Sequence, residues 1–284
     1  MTLLMPARPF HQRPDAPVQA LEQAMLALRS QRFDEAERLA AGVLDADRAD
    51  AHAAQILGTA LLLQGRGADA LAPLAETARR TSDPAVETLL ARALAAAGRR
   101  GEAIATLHKA TERRPAYPLA FLELGEALGA DGRPSEGVAV LESGLALVPA
   151  ADGLRIALGY LHLQRNDRGE ARRCFEDVRR AAPDRGDAMV GLAKVMALDG
   201  DHAGAAELYR RALAVRPQDV GSGLGLAKSL LELGERAAGE AALRTTVDGA
   251  AHLAGLALST LAASSHGRFF LRASAARRFL GVSP

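Results

Sequence analysis

Two registered rows of small residues set the architecture of this chain before anything else in it is read. Ala36, Ala70, Ala103, Gly137, Ala171, Ala205 and Gly239 follow one another at intervals of 34, 33, 34, 34, 34 and 34 residues. Ala24, Gly58, Ala91, Gly125, Gly159, Ala193 and Ala227 keep the same phase twelve positions earlier. A methyl group or a hydrogen at a recurring position lets two helix backbones approach more closely than Leu would allow. One unit of this length cannot bury its own apolar face, so successive units must stack.

The residues between the rows follow a helix–turn–helix plan. Leu57, Leu90, Leu124, Leu158, Leu192 and Leu226 precede the small residue of the earlier row, with Gln23 breaking the series. One turn on stand Leu61, Leu94, Leu128, Met196 and Leu230, with Ala27 and His162 in the remaining units. Apolar spacing of three and four puts these side chains on one helix face. Gly65, Gly98, Gly132, Gly200 and Gly234 come next, replaced by Gln31 in the first unit and Asn166 in the fifth. Gly and Asn tolerate the left-handed backbone that closes a helix, so a tight turn is predicted there. The second helix carries Ala40, Leu74, Leu107, Leu141, Phe175, Tyr209 and Leu243 four residues after its small one. Pro115, Pro149, Pro183 and Pro217 then stop it, since proline lacks the donor and clashes with the preceding turn.

This pattern resembles the tetratricopeptide repeat (TPR) family over roughly residues 17 to 251, most closely at GDHAGAAELYRRALAVRP, Gly200 to Pro217. The resemblance implies an all-α, right-handed superhelical solenoid of about seven units, starting near residues 17, 51, 84, 118, 152, 186 and 220. A Pro-rich arm (1–16) would precede the array, and a capping helix with a basic, Phe-rich tail (252–284) would follow it. Unit one lacks the turn Gly and closing Pro, Ser82 replaces the Pro in unit two, and unit seven has Ala251. Terminal repeats are expected to depart in this way.

Composition narrows the function classes. A formal net charge of +1 gives no basic excess for nucleic acid, and aromatics at 4% fit interfaces built from Ala and Leu. No run of eighteen apolar residues exists to span a membrane, and the first seventeen residues lack the apolar core of a secretion signal. Leu3, Leu4 and Phe10 of the arm are candidates for docking on the array or a partner. Cys174 is the only cysteine, which excludes an internal disulfide and makes the cytoplasm the expected compartment; the Ala-, Arg-, Leu- and Gly-rich composition suggests a bacterial source. The seven histidines show no metal-ligand spacing, and His162 reads as a buried, hydrogen-bonded imidazole. GSGLGLAK, Gly221 to Lys228, imitates a phosphate loop, but the repeat phase places it on a helix with no preceding strand. Asp34, Glu35, Glu102 and Glu136 stand at starts of second helices, where they complement the dipole. No nucleophile–base–orienter set emerges, so no catalytic residue, metal or cofactor is expected.

The family resemblance implies instead that the first helices line a concave groove for a partner's peptide. Carried over by register, the groove side chains are Leu21, Met25, Gln55, Thr59, Leu62, Arg92, Leu119, Leu122, Glu126, Ile156, Tyr160, Leu163, Val190, Lys194, Leu224 and Lys228. Family members that clamp a chaperone tail use Lys at the fifth position of a unit. Here that position holds Leu21, Gln55, Thr88, Leu122, Ile156, Val190 and Leu224, so such a clamp is not expected. Arg92, Lys194 and Lys228 share the ninth position and are candidates for a short basic ladder, against pairing with Asp187 or Glu232.

Beyond Ala251 the phase is lost and no acid follows Asp248, while Arg268, Arg272, Arg277 and Arg278 accumulate beside Phe269, Phe270 and Phe279. These residues are read as a cap, or else as a contact element for an anionic membrane surface or acidic protein. The expected function is a non-catalytic scaffold or adaptor that binds a protein or peptide segment. The alternatives are an accessory subunit of a separate enzyme, such as glycosyl- or sulfo-transfer machinery, and a peripheral membrane assembly factor.

Overall fold

A computed structural model describes residues 16–248, 250–268 and 273–281 of the protein, and the described residues are all-α, without a strand. They fall into two compact bodies divided between Ala127 and Leu128. The first body holds α1 (Ala16–Arg29), α2 (Phe33–Ala46), α3 (Ala51–Leu63), α4 (Gly67–Thr81), α5 (Pro84–Ala96) and α6 (Arg100–Glu112). Helix α7 (Pro118–Ala130) runs across the division. The second body contains α8 (Pro134–Leu147), α9 (Asp152–Gln164), α10 (Arg168–Ala181), α11 (Gly186–Leu198), α12 (His202–Val215), α13 (Val220–Glu232) and α14 (Arg236–Val247). A short 3₁₀ turn (Ala251–Leu253), α15 (Ala254–Ala263) and α16 (Ala273–Leu280) complete it.

Within each body every helix packs on the next, and alternate helices also touch: α1 with α3 and α3 with α5, then α9 with α11 and α11 with α13. Within each body the odd-numbered helices therefore form a wall, and the even-numbered ones stand behind it.

The turns obey the sequence beat closely. Gly65, Gly98, Gly132, Gly200 and Gly234 all have φ between 74° and 86°, and Gln31 and Asn166 adopt the same left-handed region at 58° and 59°. Ser82, which replaces the proline of unit two, closes α4 with φ 52°. Helices α6, α8, α10 and α12 end two or three residues before Pro115, Pro149, Pro183 and Pro217. Asp50, Asp83, Asp167, Asp201 and Asp219 cap α3, α5, α10, α12 and α13 by accepting backbone N–H groups. Such a cap contributes about 1 kcal/mol. Glu35, Glu102 and Glu136, expected to serve the helix dipole, also hold the arginine three residues before them: Arg32, Arg99 and Arg133, each at 2.6–2.7 Å.

All fourteen small residues of the two rows are buried. Their purpose is visible where the partner is large. A Cβ on Gly58 would lie 2.9 Å from Leu74, and one on Gly159 would lie 2.7 Å from the ring of Phe175. Gly191 of the following unit closes on the same ring from α11, and Gly225 of α13 receives Tyr209 in the same way. Phe175 is fully enclosed as a result, a burial that stabilises by roughly 1.5–3 kcal/mol. The glycines of the phosphate-loop imitation thus sit inside α13, where Gly223 and Gly225 make room for Thr246 and Tyr209.

Candidate functional site

The wall of first helices carries the side chains read as a groove. In the first body Leu21, Met25, Gln55, Thr59, Leu62, Leu119 and Leu122 are half-buried, and Arg92 and Glu126 are exposed. Leu21 and Met25 join Val18, Leu26, Arg29 and His52 around a cavity of about 540 Å³. Thr59 turns its hydroxyl inward, donating to the Gln55 carbonyl at 2.7 Å. Arg92 lies 3.6 Å from Glu123, whose carboxyl is pushed up by burial more than the guanidinium lowers it.

In the second body Tyr160, Leu163 and Leu224 are half-buried and Lys194 and Lys228 exposed. Ile156 and Val190 differ from the expectation of an open anchor surface. They are only 7% and 8% exposed, and both belong to the core around Phe175 and Met189. In these two units the bulk of Phe175 and Met189 draws the fifth position into the core, whereas Leu21, Gln55, Leu122 and Leu224 stay half-buried. Tyr160 meets Phe175 edge-to-face, with centroids 5.2 Å apart, and the Lys194 ammonium stands 4.8 Å above the Tyr160 ring. Burial first, then the charges of Asp187 and Asp219, push the Tyr160 phenol up to about 12. Lys194 and Lys228 share a cavity of about 440 Å³ with Ala197, Leu198, His202, Tyr209, Gly225, Ser229 and Glu232. That cavity was not legible in the sequence, because two of its walls come from α12.

The C-terminal residues turn inward where they are described. Arg268 lies 3.2 Å from the buried carboxylate of Glu240, and the guanidinium groups of Arg268 and Arg244 each stand 5.1 Å from the Phe279 ring. Leu280 is buried against Leu243, Val247, Ala257 and Leu261. The Ser265 N–H donates to Glu232 at 3.2 Å, and His266 Nδ1 lies 3.1 Å from the Leu231 carbonyl, so this segment also closes the end of α13. Arg278 is exposed. Phe269, Phe270 and Arg272 lie outside the described residues, as do the Arg277 side chain and Leu3, Leu4 and Phe10 of the arm.

His162 is buried, but the hydrogen bond expected for it is not made. Its Nδ1 stops 3.6 Å from Asp167, whose other carboxylate oxygen accepts from the Glu170 N–H at the start of α10. Cys174 is buried too, and burial, with Glu170 and Asp177, raises its thiol to about 11. Among the described residues no cluster of His, Cys, Asp or Glu could hold a metal, and no helix is long and apolar enough to cross a membrane.

The family model of the tetratricopeptide repeat matches residues 21–85, 88–152 and 156–220, each match taking in two helix pairs and together well over half the chain. The chain belongs to the TPR family. Solved structures agree with the fold. A tetratricopeptide repeat protein from Parabacteroides merdae superposes with a TM-score of 0.62 at 14% identity, covering 94% of this TPR chain and 98% of that one. The Pseudomonas aeruginosa pilF protein gives 0.60 at 16% identity, covering 75% and 97%. A chain of an APC/C hetero-tetramer gives 0.63 at 16% identity over 77% of this chain; the match spans only 43% of that longer chain. Curated proteins give no significant sequence match.

Proposed function

We propose that this TPR protein is a non-catalytic adaptor that holds a segment of a protein partner against its wall of first helices. The observation that carries the reading is the row Tyr160, Lys194 and Lys228 at one repeat position of α9, α11 and α13, half-buried or exposed, with the two lysines lining a cavity. A mixed surface of aromatic, aliphatic and charged side chains suits a segment with apolar anchors. TPR repeats generally mediate protein–protein contact, and that generality supports the reading. The enclosed positions Ile156 and Val190 take no part in it. Cytoplasmic placement belongs to the same reading and rests on the single, enclosed Cys174.

Affinity capture with Leu122→Ala, Tyr160→Ala and Lys194→Glu combined tests it. A control carries Arg173→Glu and Glu207→Lys on exposed faces of second helices. The groove variant is expected to lose a partner that both wild type and the control retain. Equal recovery by all three overturns the proposal.

A further inference from the structure

We infer that α1 is the interface of a two-fold dimer, packing antiparallel on α1 of a second copy of this chain. The inference stands apart from the groove reading, whose test uses other residues.

The first and last units are finished differently. After the last unit, α15 packs on α13 and α14, and Leu280 of α16 is buried in the same core. Before the first unit, nothing among the described residues covers the outer side of α1. Leu26 and Val18, at 59% and 57%, are the two most exposed large apolar side chains among the described residues, and both stand there. In later units the position of Leu26 is held by the buried Ala60, Ala93, Leu161, Val195 and Ser229 and the half-buried Ala127, where preceding helices pack. Leu21 and Met25 border the same face, and with Val18 and Leu26 they line a cavity of about 540 Å³.

Another repeat unit is not what this face fits. Gln19 and Gln23 are exposed on α1 at positions where the next unit buries Ala53 and Leu57. Two glutamines deny a stacked unit its apolar seat, which opposes head-to-tail growth into a filament. A two-fold contact needs only a face that matches itself, and charge supplies the match. Glu22 and Arg29 are exposed, line the cavity, and make no ion pair or side-chain hydrogen bond among the described residues. They stand about 10 Å apart on one stripe of the helix. Antiparallel pairing with the dyad midway between Met25 and Leu26 sets Glu22 of each copy opposite Arg29 of the other, with Met25 and Leu26 at the centre. Moving the dyad to Glu22, which would lay Val18 on Leu26, brings the two Glu22 carboxylates together instead. Opposite charges thus select the first register, while the apolar centre supplies the affinity. A helix of 14 residues offers about 21 Å of contact, at the small end for a specific interface, so the dimer is a reversible one.

Sedimentation velocity of the full chain over roughly 1–100 µM tests the inference. Wild type is expected to pass from monomer to dimer in that range. Glu22→Arg and Arg29→Glu, each alone, set like charges opposite one another twice and should weaken dimerisation about tenfold or more. An equimolar mixture of the two variants restores both opposite-charge pairs and should form heterodimers. The chain carrying both substitutions should dimerise as wild type does. A wild type that stays monomeric throughout, single variants that dimerise as well as wild type, or a mixture that gains no dimer overturns the inference. A chain that dimerises only after residues 1–15 are removed also overturns it, in favour of the arm as the cover of α1.

Discussion

At the scale of single residues, glycine does two opposite jobs in this chain, and the structure separates them. Gly191 and Gly159 press on the fully buried Phe175 ring from two helices, so the ring has nowhere to retreat. Gly42, in the middle of α2, has open space where a Cβ would stand. Gly42→Ala should therefore stabilise by about 1 kcal/mol, the ordinary helix-propensity gain. Gly191→Ala should destabilise by about 1–3 kcal/mol despite that same gain, because overpacking a closed site outweighs it. In a Phe175→Leu background the penalty at Gly191 should shrink, a non-additivity that chemical denaturation of the four proteins would measure. If Gly191→Ala raises the midpoint as Gly42→Ala does, the seat for the ring is not tight.

Among the elements, the turns between paired helices were the most legible part of the sequence, because a left-handed residue narrows the choice of amino acid. Gln31 fills that conformation at a strain of roughly 1–2 kcal/mol, whereas asparagine, as at Asn166, is a residue type that visits it readily. Gln31→Gly is expected to raise stability by about 0.5–1 kcal/mol after the entropy of the freer unfolded chain is deducted, and Asn166→Gly by less. Thermal melts of both variants decide it; a fall at Gln31 would mean that its side chain does work not seen in the turn. Less of the surface could be read in advance. Register showed that the fifth and ninth positions lie on the wall, but whether Ile156 and Val190 are covered depends on the bulk of Phe175 and Met189 behind them. Pairs such as Arg113 with Glu87, 2.7 Å apart and 26 residues distant, join helices of one unit at offsets that the other units do not repeat. The two sides of the Lys194 cavity come from different units, and periodicity says nothing about which gaps between units stay open.

Over the whole molecule, the three tyrosines report on packing together. Burial is the largest cause in raising all three phenols: Tyr117, Tyr160 to about 12, and Tyr209 further still. A phenol whose ionisation is held back by folding lends stability that is complete below its unfolded value of about 10. That stability is lost as pH climbs from there through the folded value. Absorbance from the Tyr160 and Tyr209 phenolates should accordingly stay low until unfolding begins, then appear with the loss of helical circular dichroism. More than one phenolate per chain near pH 10, with the chain still fully helical, would show these two rings open to water. The aromatic–glycine fit has a consequence for how such a chain can be lengthened or shortened. Phe175 and Tyr209 occupy one position of successive units, and Gly191 and Gly225 occupy another, while Leu141 stands where the aromatics stand one unit earlier. Excising residues 186–219 would bring Phe175 to Gly225, large against small as before. Excising 152–185 would bring Leu141 to Gly191 and leave a void, so the second deletion should melt lower than the first. The units are therefore not interchangeable copies but words in an order, and recombination can drop one of them with far less damage than its neighbour.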